Sequence, residues 1–148
     1  MTMYRGSCLC QGVTFQAAEL SKDYVYCHCK SCRKANGTAF AANAAAPLEG
    51  FQILSGADLI TRYESSPQKF RHFCRVCGTP LFTKVGDNPE FVRIRLGTLD
   101  TSFGEPRSAH IFVAEKAPWY EIADSTPQYA GWPDPETLAI PGSRQDDS

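Results

Sequence analysis

Seven cysteines gathered into three short clusters constrain this chain more than any other feature of it. They are Cys8-Leu9-Cys10, Cys27-His28-Cys29-Lys30-Ser31-Cys32 and Cys74-Arg75-Val76-Cys77. Scattered apolar thiols would not space themselves this tightly. A two-residue spacer lets two sulfurs reach one tetrahedral ion at about 2.3 Å while backbone N–H groups of the turn bond to the thiolates. Gly78 follows Cys77 and tolerates the left-handed backbone that such a turn needs. The clusters therefore read as metal ligands, and zinc is the expected ion. The first residues show no basic region followed by an apolar run, so no leader is expected. A reducing, cytoplasmic setting follows, where cysteines serve as thiolates rather than as a disulfide framework.

Seven thiolates divide naturally into four plus three. A closed Cys₄ tetrahedron is a structural site, whereas three protein ligands leave a fourth position for water or substrate. Two pairings are open. In one, Cys8 and Cys10 join Cys74 and Cys77, leaving Cys27, Cys29 and Cys32 together. In the other, Cys29 and Cys32 join Cys74 and Cys77 like a zinc ribbon, leaving Cys8, Cys10 and Cys27. The first is more economical, because Cys27, Cys29 and Cys32 lie within six residues. It also closes a loop of 63 residues between Cys10 and Cys74, and a metal clip stabilises most where the loop is long. A three-cysteine site is expected to stand open to solvent.

The remainder of the sequence describes a mainly β domain. At 148 residues the chain is long enough for one core, and 15 Lys+Arg against 16 Asp+Glu exclude a nucleic-acid module that depends on gross positive charge. The longest run of small apolar residues, 39–46, contains Asn43 and stops at Pro47, so no membrane span is expected. Short segments rich in aromatic and β-branched residues predict strands at 13–17, 24–27, 51–54, 59–63, 70–73, 81–85, 91–96 and 110–114. The clearest alternation sets Val92, Ile94 and Leu96 against Arg93 and Arg95, whose face reads as solvated, with anion binding as the alternative. Only 31–36 looks helical, ending at Gly37. Short antiparallel strands joined by many turns are the expected architecture. Beyond Pro118, proline and glycine accumulate among Trp119, Tyr120, Tyr129 and Trp132, predicting an irregular segment whose aromatics pack over the sheet. The division expected is a zinc-binding domain over 1–120 and an irregular extension over 121–148, frayed at its last residues.

The stretches Gly6-Ser7-Cys8-Leu9-Cys10-Gln11-Gly12-Val13-Thr14-Phe15, Cys27-His28-Cys29-Lys30-Ser31-Cys32-Arg33-Lys34 and Phe73-Cys74-Arg75-Val76-Cys77-Gly78-Thr79 resemble the glutathione-dependent formaldehyde-activating enzyme family, which also includes the centromere protein V group. His110-Ile111-Phe112-Val113, with Lys116 and Trp119 after it, resembles that family's C-terminal strand. The resemblance, over residues 4–120, implies an Mss4-like fold of small antiparallel sheets around two zinc ions. It implies structural zinc on Cys8, Cys10, Cys74 and Cys77, and catalytic zinc on Cys27, Cys29 and Cys32. The implied activity is that of a carbon–sulfur lyase, the reversible addition of glutathione to formaldehyde.

Around the three-cysteine segment, Lys30, Arg33 and Lys34 read equally as a solvated basic turn or as partners for glutathione carboxylates. His28 reads as a residue beside the metal rather than a fourth ligand, and His72 as an ordinary strand position. His110 approaches the site only on the strength of the resemblance. Two other function classes compete with the lyase. One is a non-catalytic zinc module that binds glutathione or a protein. The other is a methionine sulfoxide reductase of the B type, which shares the Mss4-like architecture but carries its catalytic cysteine in an Arg-x-Cys-x-Asn motif absent here.

Overall fold

The computed structural model describes residues 3–87 and 89–141; the expected fraying of the last residues lies outside them. Ten strands form two sheets. β1 (Tyr4–Ser7), β2 (Thr14–Ala17) and β5 (Phe51–Ser55) make a three-stranded antiparallel sheet in the order β1-β2-β5. The other sheet has seven strands: β3 (Val25–Cys27), β4 (Ala41–Pro47), β6 (Ile60–Ser66), β7 (Lys69–Cys74), β8 (Pro80–Val85), β9 (Phe91–Arg95) and β10 (Ala109–Ile111). Their order is β10-β3-β4-β9-β8-β7-β6. One α-helix, α1 (Lys30–Asn36), is capped at its start by Cys29 and stopped by Gly37 at φ 66°, a conformation that costs glycine little.

The mainly β expectation holds, with one departure from antiparallel pairing. β10 runs parallel to β3, matching Ala109, His110 and Ile111 to Val25, Tyr26 and Cys27. The strand expected over 110–114 is also shorter, because Phe112 at φ 55° turns the chain into a 3₁₀ turn over Val113–Glu115. Two strands arise where the composition gave no strand signal. β4 is an alanine run, a poor strand former by propensity. It sits between β3 and β9, a central place in the sheet that buries most of its residues; Ala44 and Ala46 are buried in one core and Ala41 in another. β1 pairs with β2 and is tied further by the Arg5 N–H to Thr101 Oγ1 at 3.0 Å.

The two cores divide the buried cysteines between them. Cys8 and Cys74 belong to the larger one, around Phe15, Leu81, Val92 and Ile94. Cys27, Cys29 and Cys32 belong to the smaller one, with Val25, Ile111 and Ile140. The buried sulfurs of the two groups are thus set in separate apolar surrounds.

Candidate functional site

The sulfurs of Cys8, Cys10, Cys74 and Cys77 converge within 4.8 Å of one another where the turn after β1 meets the turn after β7. Cys8 Sγ lies 3.5 Å from Cys10 Sγ, and Cys10 Sγ lies 3.9 Å from Cys74 Sγ. The second turn is shaped by the Cys74 N–H donating to Thr79 O at 3.0 Å and the Gly78 N–H to Cys74 O at 2.7 Å, with Gly78 left-handed at φ 78°. The Leu9 N–H donates to Thr79 Oγ1 and couples the two turns. Hydrogen bonding from Thr79 pulls the Cys77 thiol down to about 5, so this sulfur is prepared as a thiolate.

The second group holds Cys27, Cys29 and Cys32, again within 4.8 Å. Cys27 ends β3, Cys29 caps α1 by accepting the Cys32 N–H at 3.3 Å, and Cys32 sits in the first turn. Spacing favours this division over a ribbon-like mixing, and the sulfurs assemble accordingly. Exposure runs opposite to expectation, however. All three of these sulfur-bearing residues are buried, whereas Cys10 of the four-cysteine group is exposed. The reason is cover: α1, β10 and the segment carrying Tyr129, Trp132 and Ile140 pack around the three.

Charge in this buried group is shared unevenly. Hydrogen bonds from Cys27 and Cys29 hold the Cys32 thiol well below its ordinary value, and Arg95 and Arg71 pull the same way. Hydrogen bonding to Cys29 and Cys32, together with burial, pushes the Cys27 thiol well above it. Three thiolates cannot coexist at this distance without a cation among them. A compact set of three sulfurs is the donor set that a thiophilic divalent ion requires. Both cysteine groups could hold a metal ion.

Arg95 corrects the solvated-face reading of β9. Val92 and Ile94 do face one core, but the opposite face is covered rather than wet. Arg95 is 7% exposed, donating through Nη1 to Asn43 Oδ1 at 2.5 Å and through Nη2 to Thr83 Oγ1 at 2.7 Å. Arg93 is half-buried, its guanidinium 4.5 Å from the centre of the Trp132 ring. Arg71, which sequence reasoning passed over, places Nη1 3.9 Å from Cys32 Sγ. Alternation shows which residues share a face; it does not show whether something covers that face. Lys30 and Lys34 are exposed on α1, and the Lys30 N–H is taken by Glu115 Oε1 at 3.1 Å.

Behind the Cys27–Cys29 turn runs a buried chain of polar groups. His28 Nε2 lies 2.9 Å from His110 Nδ1, and His110 Nε2 lies 3.1 Å from both Asp124 oxygens. Both histidines are fully buried. Arg107 holds the far side of Asp124 at 2.7 Å. A carboxylate only accepts, so His110 carries a proton on Nε2, while its Nδ1 shares the second hydrogen bond with His28 Nε2. The chain therefore fixes the rotamer of the residue between Cys27 and Cys29. Parallel pairing of β10 with β3 brings it together, which no local sequence signal foretells. His72 sits on β7, stacked on Phe82 at 4.5 Å. Of the late aromatics, Tyr120 stands beside His28 and Trp132 against Phe112, while Trp119 is exposed.

His110→Phe keeps an aromatic ring and deletes both hydrogen bonds, leaving His28 Nε2 buried without a partner. The expected cost is about 1–3 kcal/mol, read by urea denaturation. Asp124→Ala should also destabilise, with a specified pH dependence. Against desolvation, hydrogen bonds from Thr126, Arg107 and His110 hold this carboxyl below its ordinary value of 3.8. Its stabilisation is therefore full above that value and is lost as the pH falls further. The gap between wild type and Asp124→Ala should narrow in acid; a gap that widens there would refute the pairing.

Comparison with known proteins supplies the lineage. An uncharacterized lyase of Schizosaccharomyces pombe is 28% identical over 133 residues, covering 87% of this chain and 92% of that protein. A Halomonas elongata protein, named provisionally as a glutathione-dependent formaldehyde-activating enzyme, is 29% identical over 149 residues, covering 93% and 92%. A crystal structure of a Rhodobacter sphaeroides protein superposes with a TM-score of 0.57 at 27% identity, over 68% of this chain and 91% of that one. The family model described as glutathione-dependent formaldehyde-activating enzyme matches residues 3–115, a span that contains both cysteine groups. The chain belongs to the glutathione-dependent formaldehyde-activating enzyme family.

Proposed function

We propose that this protein is a zinc-dependent carbon–sulfur lyase that adds or removes glutathione, or another small thiol, at a small aldehyde. Its chemistry would take place at Cys27, Cys29 and Cys32, while Cys8, Cys10, Cys74 and Cys77 would hold a second, structural zinc. The observation that carries the reading is that the buried group offers three sulfurs and, among the described residues, no fourth His, Cys, Asp or Glu ligand. A zinc ion held by Cys27, Cys29 and Cys32 would supply the positive charge that lowers the pKa of an arriving thiol and makes it a nucleophilic thiolate at neutral pH.

The chain's own residues do the rest. Cys29 is pinned by the Cys32 N–H. Arg71 and Arg95 lie close enough to Cys32 to lower its thiol and offset the negative charge of crowded sulfurs. The His28–His110–Asp124 chain keeps the intervening turn from shifting as charge moves at its flanks. Burial of all three cysteines excludes bulk water, which would otherwise hydrate the aldehyde and compete with the thiol.

The test is spectroscopic. Wild-type protein should contain two zinc ions per chain. After cobalt substitution, its sulfur-to-metal charge-transfer bands should shift on adding glutathione and stay unchanged with S-methylglutathione. Equal responses to the two compounds would show that the sulfur does not engage the metal, and the reading would fall.

A further inference from the structure

Two buried guanidinium groups line one cavity next to the three-cysteine group. Arg71 and Arg95, 8% and 7% exposed, bound a space of about 400 Å³ between α1 and the sheet. Ala35, Tyr63, Phe73 and Pro80 supply much of its remaining wall, so it is largely apolar. A volume of this size falls within the range of small-molecule sites. It far exceeds what an aldehyde of two heavy atoms needs.

The partners of the two arginines leave charge to be met. Arg95 spends Nη1 and Nη2 on Asn43 and Thr83, both neutral. Arg71 donates from Nε to the Ser65 hydroxyl at 2.9 Å and approaches Cys32 Sγ with Nη1. Arg71 Nη2 has no hydrogen-bond partner and is closed off from water-sized contact, so a ligand in the cavity meets it only after the side chain shifts. Among the described residues no carboxylate pairs with either arginine. A divalent ion with three thiolates carries one net negative charge, which offsets one guanidinium and leaves the other. A buried cation with an unmet donor is costly unless an anion arrives.

We propose that this cavity binds an apolar-bodied carboxylate, its charged end on Arg71 and its body against Tyr63, Phe73 and Pro80. The chemical class follows from the wall: a guanidinium fork suits a carboxylate, and the surrounding apolar surface suits a hydrocarbon or aryl group. That this group belongs to the reactant handled at Cys32 rests on the lyase reading; the binding itself does not.

The test uses the zinc-loaded, full-length protein, with 4-phenylbutyrate as the probe and 4-phenylbutanol as its uncharged counterpart, followed by calorimetry. The acid should bind at least tenfold more tightly than the alcohol. Arg71→Met, which keeps the length of the side chain without its charge, should weaken acid binding at least tenfold. Ala35→Trp, on the exposed side of α1, should fill the cavity and abolish binding, which keeps the idea testable if Arg71→Met does not fold. No binding of the acid, equal binding of acid and alcohol, or unimpaired binding by Ala35→Trp would overturn the proposal. So would a shift of the cobalt spectrum by 4-phenylbutyrate, which would put the carboxylate on the metal. A protein that binds 4-phenylbutyrate yet shows no cobalt response to glutathione would sustain this inference and sink the lyase reading.

Discussion

Cys74→Ser is expected to abolish stable folding. Cys74 is fully buried at the end of β7, and its sulfur is one of four that join the turn after β1 to the turn after β7. A structural zinc site contributes on the order of 10 kcal/mol of apparent folding free energy, while a domain of this size has a total stability of about 5–15 kcal/mol. Loss of one ligand therefore removes most of the margin. The measurement is soluble yield together with the thermal midpoint. A soluble variant whose midpoint equals that of the wild type would show that Cys74 does not hold a structural metal.

Cys29→Ser should have a different consequence: a folded protein with one zinc per chain that no longer responds to glutathione. Cys27, Cys29 and Cys32 lie in one local segment, so losing their ion loosens a turn and the start of α1 without separating distant strands. Serine can still cap α1, because its hydroxyl accepts the Cys32 N–H in place of the sulfur. The cobalt form should retain the spectrum of the four-cysteine group and lose the thiol-dependent shift. Glutathione binding as tight as that of the wild type would place the ligand elsewhere and defeat the zinc–thiolate mechanism.

Strands were legible where side chains advertise them. Val92 and Ile94 on β9, or Phe70 to Phe73 on β7, carry the aromatic and β-branched character that a pleated, half-covered surface selects. The strand at 41–47 was not, since its alanines are chosen by the neighbours on either side and not by local preference. A four-plus-three division of the seven sulfurs was readable from their number and spacing, but spacing favoured the observed membership over a ribbon-like one without deciding it, because nothing local says which distant cluster Cys74 and Cys77 meet. The charged surround of Cys32 was not. Arg71, Asn43, Thr83 and Arg95 come from four strands, and only the register of the sheet sets them on one face. Asp124 lay hidden for the same reason, reaching His110 from a stretch without regular structure.

The four-cysteine group also bears on how the chain is made. Cys8 and Cys10 leave the ribosome before Cys74 and Cys77, so the group they share is incomplete until Cys77 has emerged. Through that interval the first hairpin holds two unpaired thiols, one of them in a position exposed in the finished protein. The second group needs only six consecutive residues and can capture an ion as soon as Cys32 emerges, long before β9 and β10 arrive to bury it. If both groups take up metal, loading during synthesis would run in the opposite order to the cysteines' first appearance, and metal scarcity in the nascent state would penalise the first hairpin first.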